Sequence, residues 1–408
     1  MKITDTVIIG GGQAGLAMSR CLAERSIDHV ILERGKLGQR WRDERWDSLR
    51  LLSPNWMARL PHYAYAGDDP DGFMTMPEFT HYLEEYAVSF NAPLMDRTTV
   101  KRVERVGTDQ LLVVTNRGSW QARNLVIATG FCDRPRIPAF ADALSPDIYQ
   151  FAPSDYRRPS QLPAGNVLVV GASSTGAQIA DELSWTGRDV TLAVGTHIRL
   201  PRRYRGRDIL GWMVDMGAFR ASSHPDDERL SPPPQLVGRP DNRDLDLRYL
   251  QSLGVRLTGR AKGAEARRVS FADDLNESIA KADTQLFGLL EKIDGYIESN
   301  GISAVPAEEV MPVPCPKTPS EIDLDDAGIT SIIWATGYRR SYPWLKLPVL
   351  DKRGEIGHVR GITSEPGVVV LGMRFQMTKG SNLIDGVGAD AELLADHLAA
   401  RRLQLAAA

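Results

Sequence analysis

Cysteine is scarce in this chain: its 408 residues include three, Cys21, Cys132 and Cys315, far apart and with no CxxC pair. That spacing excludes a disulfide framework, a cysteine-rich zinc site and a dithiol redox centre. An excess of charge of one sign is lacking too. The 49 Lys and Arg nearly balance 52 Asp and Glu, and a net charge of −3 removes the basic surplus of a general nucleic-acid binder. Long apolar runs are absent. No window offers the roughly 18 uninterrupted apolar residues of a membrane helix, and the opening residues lack a secretory apolar region of about 7–15 residues. The expectation is a protein of the reducing cytoplasm with neither nucleic-acid nor membrane partners. The seven histidines fall without ligand spacing, so no metal site is expected.

Glycine is what the chain does have, and its positions carry the information. Thr6–Ile9 reads as a buried parallel strand that runs into Gly10-x-Gly12-x-x-Gly15. A helical pattern through Leu22 follows, starting with Gln13 and Ala14, and then a second strand, His29–Leu32, ending on Glu33 and Arg34. In such a unit the first glycine permits the tight turn, the second lets backbone approach a pyrophosphate, and the third allows close helix–strand packing. Phosphate sits on the helix N-terminus, where free N–H groups and the dipole favour negative charge. Glu33 is spaced to accept hydrogen bonds from an adenosine ribose.

The pattern recurs about 160 residues later. Asn166–Val170 is a strand, Gly171-Ala-Ser173-Ser174-Thr175-Gly176 the turn, and the next strand runs over residues 189–194 to Gly195, not to an acid. Without a carboxylate to repel a 2′-phosphate, NADPH is favoured over NADH. Arg199, Arg202, Arg203, Arg205 and Arg207 lie just downstream, and Arg202 and Arg203 are the candidates for that phosphate, since guanidinium forks suit it. The alternative is a solvated basic loop, or arginines paired with Asp226, Asp227 and Glu228.

Two further segments match each other: Leu125–Gly130 and Ile332–Gly337 both end in Ala-Thr-Gly. Together with Gly38-Gln39-Arg40-Trp41 and the run from Gly357 through Asp385 to Asp390, they resemble segments of the class B flavoprotein monooxygenases, the group that includes flavin-containing, Baeyer–Villiger and N-hydroxylating enzymes. The resemblance covers about residues 4–200 and 325–405. It implies an α/β fold of two Rossmann-like dinucleotide-binding domains, with an NADPH domain inserted in a discontinuous FAD domain. The expected divisions are residues 1–155, 156–322 and 323–408. It implies FAD over the first glycine turn and NADPH over the second. It also implies cofactor contacts from Gln39, Arg40 and Trp41, from the crossings Ala128-Thr129-Gly130 and Thr336-Gly337, and from Asp385.

The implied activity is an NADPH-dependent FAD monooxygenase, in which a flavin peroxide oxygenates a small organic substrate at nitrogen, sulfur or beside a carbonyl. Asn55, after Pro54, is the candidate to hydrogen-bond that peroxide; a turn role is the alternative. One departure bears on the reaction. The family's Phe-x-Gly-x-x-x-His-x-x-x-Tyr/Phe fingerprint falls at 148–159, where Tyr156 matches the aromatic but Ala152 replaces the histidine. That departure leaves open a reductase or oxidase without oxygenation, or a flavin-bearing sensor.

The stretch from Arg207 to Gly328 matches no general motif. Ser231-Pro-Pro-Pro234 reads as a stiff surface loop. Leu275, Ile279, Ala282, Leu286, Leu289, Ile293 and Tyr296 recur every three or four residues, predicting an amphipathic helix of about 25 residues. Core packing is its expected role, with a homodimer face or an active-site cover as alternatives. Trp41, Trp46 and Trp56 are candidates for a water-excluding wall near the flavin.

Overall fold

The β-branched runs at Thr6–Ile9 and Asn166–Val170 become central strands of two parallel sheets. The computed structural model describes residues 1–224 and 231–407. The first sheet has seven strands in the order His358–Val359, Ile362–Thr363, Val368–Val370, Asn124–Ile127, Thr6–Ile9, His29–Leu32, Leu94–Met95. Its last five strands are mutually parallel. Period-two alternation decides which side chain serves which face. Ile8, Ile31 and Val126 pack against Leu16, Leu22 and Phe79 on one side, from the helices Gln13–Glu24 and Met76–Ser89. Val7, Ile9 and Val30 point the other way, onto Val103 and Val113 of a four-stranded sheet.

The second sheet has five parallel strands in the order Tyr149–Phe151, Ile329–Trp334, Asn166–Val170, Val190–Ala193, Arg256–Thr258. Because Tyr149–Phe151 and Ile329–Trp334 both belong to it, the chain changes domain earlier than residue 155 and later than residue 322. The changeover is the antiparallel pair Arg134–Pro135 with Tyr338–Arg339. The expected boundaries shift for a physical reason: a strand belongs to the sheet whose hydrogen bonds satisfy its backbone. Segment 305–319 leads to the strand Glu321–Asp323, in a three-stranded sheet with Ala261–Glu265 and Arg268–Phe271.

The predicted amphipathic helix spans Leu275–Ser299. Leu286, Leu290, Ile293 and Ile297 bury against Ile209 and Trp212, while Leu275 and Ile279 join the core of the second sheet. Leu289 and Tyr296 are half-buried beside that core. Among the described residues no helix is long and apolar enough to cross a membrane.

Candidate active site

The first sheet presents the strand ends Ile9 and Leu32 to a cavity of about 1370 Å³, and the start of the helix Ser174–Ser184, which follows the second sheet's central strand, lines the same cavity. This is where an open α/β sheet binds ligands. The two helices that follow the glycine turns start without side-chain caps. Helix Met76–Ser89 carries a capping box, Thr75 with Glu78, that satisfies its first amides. Gly12 and Ser173, at the starts of Gln13–Glu24 and Ser174–Ser184, make no side-chain cap. Their amides stay available for an anion. A β-carbon on Gly12 would meet nothing within 4 Å, so the turn is open where a pyrophosphate would lie. A β-carbon on Gly15 would lie 1.9 Å from the Gly10 carbonyl oxygen, and one on Gly176 would lie 1.8 Å from that of Gly171. The residues present therefore fit two dinucleotides.

Of the residues singled out by sequence, Gly10, Gly12, Gln13, Ala14, Glu33, Arg34, Gln39, Arg40, Trp41, Ala128, Thr129, Gly130, Ser174, Thr175 and Asp385 line the cavity. Gly15, Gly171, Ser173, Gly176, Thr336 and Gly337 are not part of this lining. Glu33 accepts the amides of Gly11 (2.7 Å) and Gly35 (2.9 Å), which fixes its carboxylate at the cavity edge. Arg40 donates to the Thr129 carbonyl (3.0 Å) and to Asp133 (2.6 Å), tying the short helix Gln39–Asp43 to the first crossing. Trp41 donates from Nε1 to Gln13 Oε1 (3.2 Å) and packs edge-on against Phe79. Asp385 is held in a two-pronged pair by Arg59, with both contacts at 2.7 Å. Burial pushes the Tyr338 hydroxyl up to about 12, so it remains a protonated donor in the wall.

Three assignments are corrected. Asn55 is buried, its amide nitrogen donating to the Asp69 carbonyl (2.9 Å) and its oxygen accepting the Met74 amide (2.9 Å). Both ends brace a loop, and the side chain does not line the cavity. Arg202 has 0 % of its surface exposed, and its guanidinium is engaged by Asp208 (2.6 Å) and the Leu52 carbonyl (2.8 Å). Arg203 binds the Gly206 carbonyl and faces a separate cavity of about 550 Å³ beside Trp56 and Arg59. The neighbouring arginines are paired too: Arg199 with Asp246 and Asp283, Arg205 with Asp294, Arg207 with Asp215. Asp226, Asp227 and Glu228, the expected partners, lie outside the described residues.

Tyr156 donates to Glu182 (2.5 Å), which also accepts from Ser48 (2.6 Å). Arg157 reaches back to the Arg45 carbonyl (2.8 Å), so this segment grips the loop at Arg45 and Ser48 although Ala152 stands where the family has histidine. Trp41 and Trp46 line the cavity; Trp56 lines the smaller one.

Sequence reasoning missed several walls. Thr98–Lys101 reach the cavity because they follow the outer strand Leu94–Met95. The triple-proline loop crosses the second glycine turn instead of running free over the surface. Ser173 donates to the Pro233 carbonyl (2.6 Å), and Gln235 to that of Ala172 (2.7 Å). Gln285, Leu289 and Lys292 show that one edge of the long helix also lines the cavity, as do Met213, Met216 and Phe219. Helical spacing could have identified that edge.

The profile of the pyridine nucleotide-disulphide oxidoreductase family matches residues 7–205. Yet the three cysteines are all free. The chain is 35% identical over 396 residues to the protein named "Uncharacterized oxidoreductase CzcO-like" from Geobacillus kaustophilus, covering 96% of this chain and 97% of that one. It is 30% identical over 370 residues to the indole-3-pyruvate monooxygenase YUCCA1 of Oryza sativa subsp. japonica, covering 84% of this chain and 79% of that one. Among solved structures, a flavin-containing monooxygenase from Stenotrophomonas maltophilia shares the fold, with a TM-score of 0.70, 20% identity, and coverage of 98% of this chain and 99% of that one. The chain belongs to the CzcO-like oxidoreductases, members of the class B flavoprotein monooxygenase-like family of FAD- and NAD(P)H-dependent enzymes.

Proposed function

We propose that the chain is an NADPH-dependent FAD monooxygenase that uses O2 to oxygenate a small, largely apolar organic substrate in the cytoplasm. The observation that carries this reading is the shared cavity: both glycine turns and an apolar chamber open into it. Leu52, Met57, Leu210, Met213, Phe219 and Leu289 wall the chamber. Apolar walls keep water from a reactive centre, and methionines adapt to irregular ligands. The flavin, when bound, supplies the electron storage and oxygen activation that no side chain in the site offers. The protein's part is binding and orientation. The uncapped helix starts at Gly12 and Ser173 offer amides to pyrophosphate, and Glu33 offers carboxylate oxygens to a ribose. The likeness to a rice protein named an indole-3-pyruvate monooxygenase supports a small organic acid as substrate.

A second reading, a reductase or oxidase without oxygenation, is favoured by Ala152 at the fingerprint position. One experiment separates the two. With FAD-loaded protein, NADPH oxidation, O2 uptake and hydrogen peroxide release are followed while small organic acids, amines and sulfides are screened. A monooxygenase gives at least one substrate that suppresses peroxide release and gains an oxygen atom. Peroxide equal to NADPH consumed, whatever is added, defeats the leading reading.

A further inference from the structure

The two nucleotide halves correspond strand for strand by register. In the first, Leu32 pairs with Met95, and the Glu33 amide donates to the Met95 carbonyl (3.0 Å). In the second, Ala193 pairs with Thr258, and the Val194 amide donates to the Thr258 carbonyl (3.0 Å). Glu33 therefore corresponds to Val194, Arg34 to Gly195 and Arg97 to Arg260. In the first half this edge bounds the cavity, through Glu33, Arg34 and Thr98. By the same register, Val194, Gly195 and Arg260 form the edge that corresponds to the ribose end of the second site.

The chemistry at that edge is inverted. The carboxylate of Glu33 is replaced by the fully buried, apolar Val194. Gly195 has no side chain, and the Arg260 guanidine nitrogen Nε lies 3.7 Å from where its β-carbon would be. The Arg260 side chain is 58% exposed, and its Nη2 donates to Thr196 Oγ1 (3.4 Å). Its backbone is fixed. A β-carbon on Gly259 would stand 1.9 Å from the Ala272 carbonyl oxygen, and Asp274 accepts the Arg260 amide (2.9 Å). The other Asp274 oxygen is 3.6 Å from Nε, a loose exposed pair that water screens and that leaves the fork's outer nitrogens for another anion.

We propose that Arg260, with Thr196 beside it, reads the 2′-phosphate of NADPH and so sets coenzyme choice in place of Arg202 and Arg203. This rests on the reading of the second glycine turn as a nicotinamide dinucleotide site. The guanidinium lies beside the place where a side chain at 195 would begin, so coenzyme preference comes from the neighbouring strand and not from the one that ends at the ribose.

The test is calorimetric titration of FAD-loaded full-length protein with NADP⁺, NAD⁺, 2′,5′-ADP and 5′-AMP. Arg260→Ala should weaken NADP⁺ and 2′,5′-ADP by about tenfold or more, the worth of a charge-assisted hydrogen bond, and leave NAD⁺ and 5′-AMP within about twofold. Arg260→Lys should fall between. Gly195→Asp should pair with Arg260 and lower NADP⁺ affinity while sparing NAD⁺. Equal loss for both coenzymes in Arg260→Ala, no loss for either, or a wild type that binds NAD⁺ as tightly as NADP⁺ overturns the assignment of Arg260. Wild-type protein that binds neither coenzyme defeats the underlying reading of the site, and this inference with it.

Discussion

Gly171 lies so close to Ala335 that a β-carbon on it would stand 2.4 Å from the Ala335 carbonyl oxygen, and Gly10 stands to Ala128 in the same relation, also at 2.4 Å. Each Ala-Thr-Gly motif thus begins beside the first glycine of one nucleotide turn. Both glycines have positive φ, +106° and +113°. Strain and collision add at these positions. Gly171→Ala should cost about 2–4 kcal/mol of stability and abolish nicotinamide-coenzyme binding while flavin stays bound. Gly187→Ala is the control, because Gly187 has φ +74° but nothing within 4 Å. It should cost only the conformational part, about 1–2 kcal/mol. Denaturant unfolding and coenzyme titration read both variants, and equal costs would refute the close-contact account.

Local order was legible where local rules govern. The strands Thr6–Ile9, His29–Leu32 and Asn166–Val170 have the bounds their apolar runs predict. Both glycine turns stand at strand ends because a short motif carries its own backbone demands. Partner choice was not legible. Arg199 pairs with Asp283 across 84 positions and Arg205 with Asp294 across 89. Asn55 is braced by residues 14 and 19 positions on. No local pattern encodes such pairings. A row of arginines beside a nucleotide motif looks like a phosphate site until the fold supplies the acids.

Arg202 is therefore expected to behave as a structural residue. Burial holds its guanidinium below the ordinary arginine range, against the pull of Asp208. Removing one partner of a buried pair leaves the other charged and unsolvated. Arg202→Ala should destabilise the protein by about 3 kcal/mol or more, with NADPH and NADH kinetics altered in equal proportion. A selective rise in KM for NADPH in a stably folded variant would restore the phosphate role.

Tyr156 tests whether the segment after the crossing can work without the family's histidine. Its side chain is fully buried, and its hydroxyl and that of Ser48 converge on Glu182. Tyr156→Phe should cost about 1.5–3 kcal/mol, the range for a hydrogen bond to a charged group. A double-mutant cycle with Glu182→Gln should show coupling between the two changes. Additive losses would mean that Tyr156 acts through packing alone.

Asp390 gives the pH prediction. It lies in the first turn of the helix Val387–Ala407, where the dipole favours an anion, yet it is 3 % exposed and one carboxylate oxygen has no hydrogen-bond partner. Burial wins: its pKa is pushed up to about 6, with Ser381 and Arg360 pulling the other way. Ser381 Oγ accepts the amides of Met377 and Thr378, each at 3.0 Å, so Asp390 also steadies the loop that carries the cavity residues Lys379, Asn382 and Asp385. A carboxyl with a raised folded pKa holds its proton in the native state after the unfolded chain has lost it. Stability from this group is therefore greatest below about pH 4, declines as pH rises towards about 6, and is flat above that. Asp390→Asn keeps the shape and removes the charge. It should be nearly neutral at acid pH and stabilising by about 2–3 kcal/mol at pH 8. Thermal unfolding of both proteins across that range checks the sign. A variant less stable than wild type at pH 8 would show that the ionised carboxylate is held by a favourable partner, not merely tolerated.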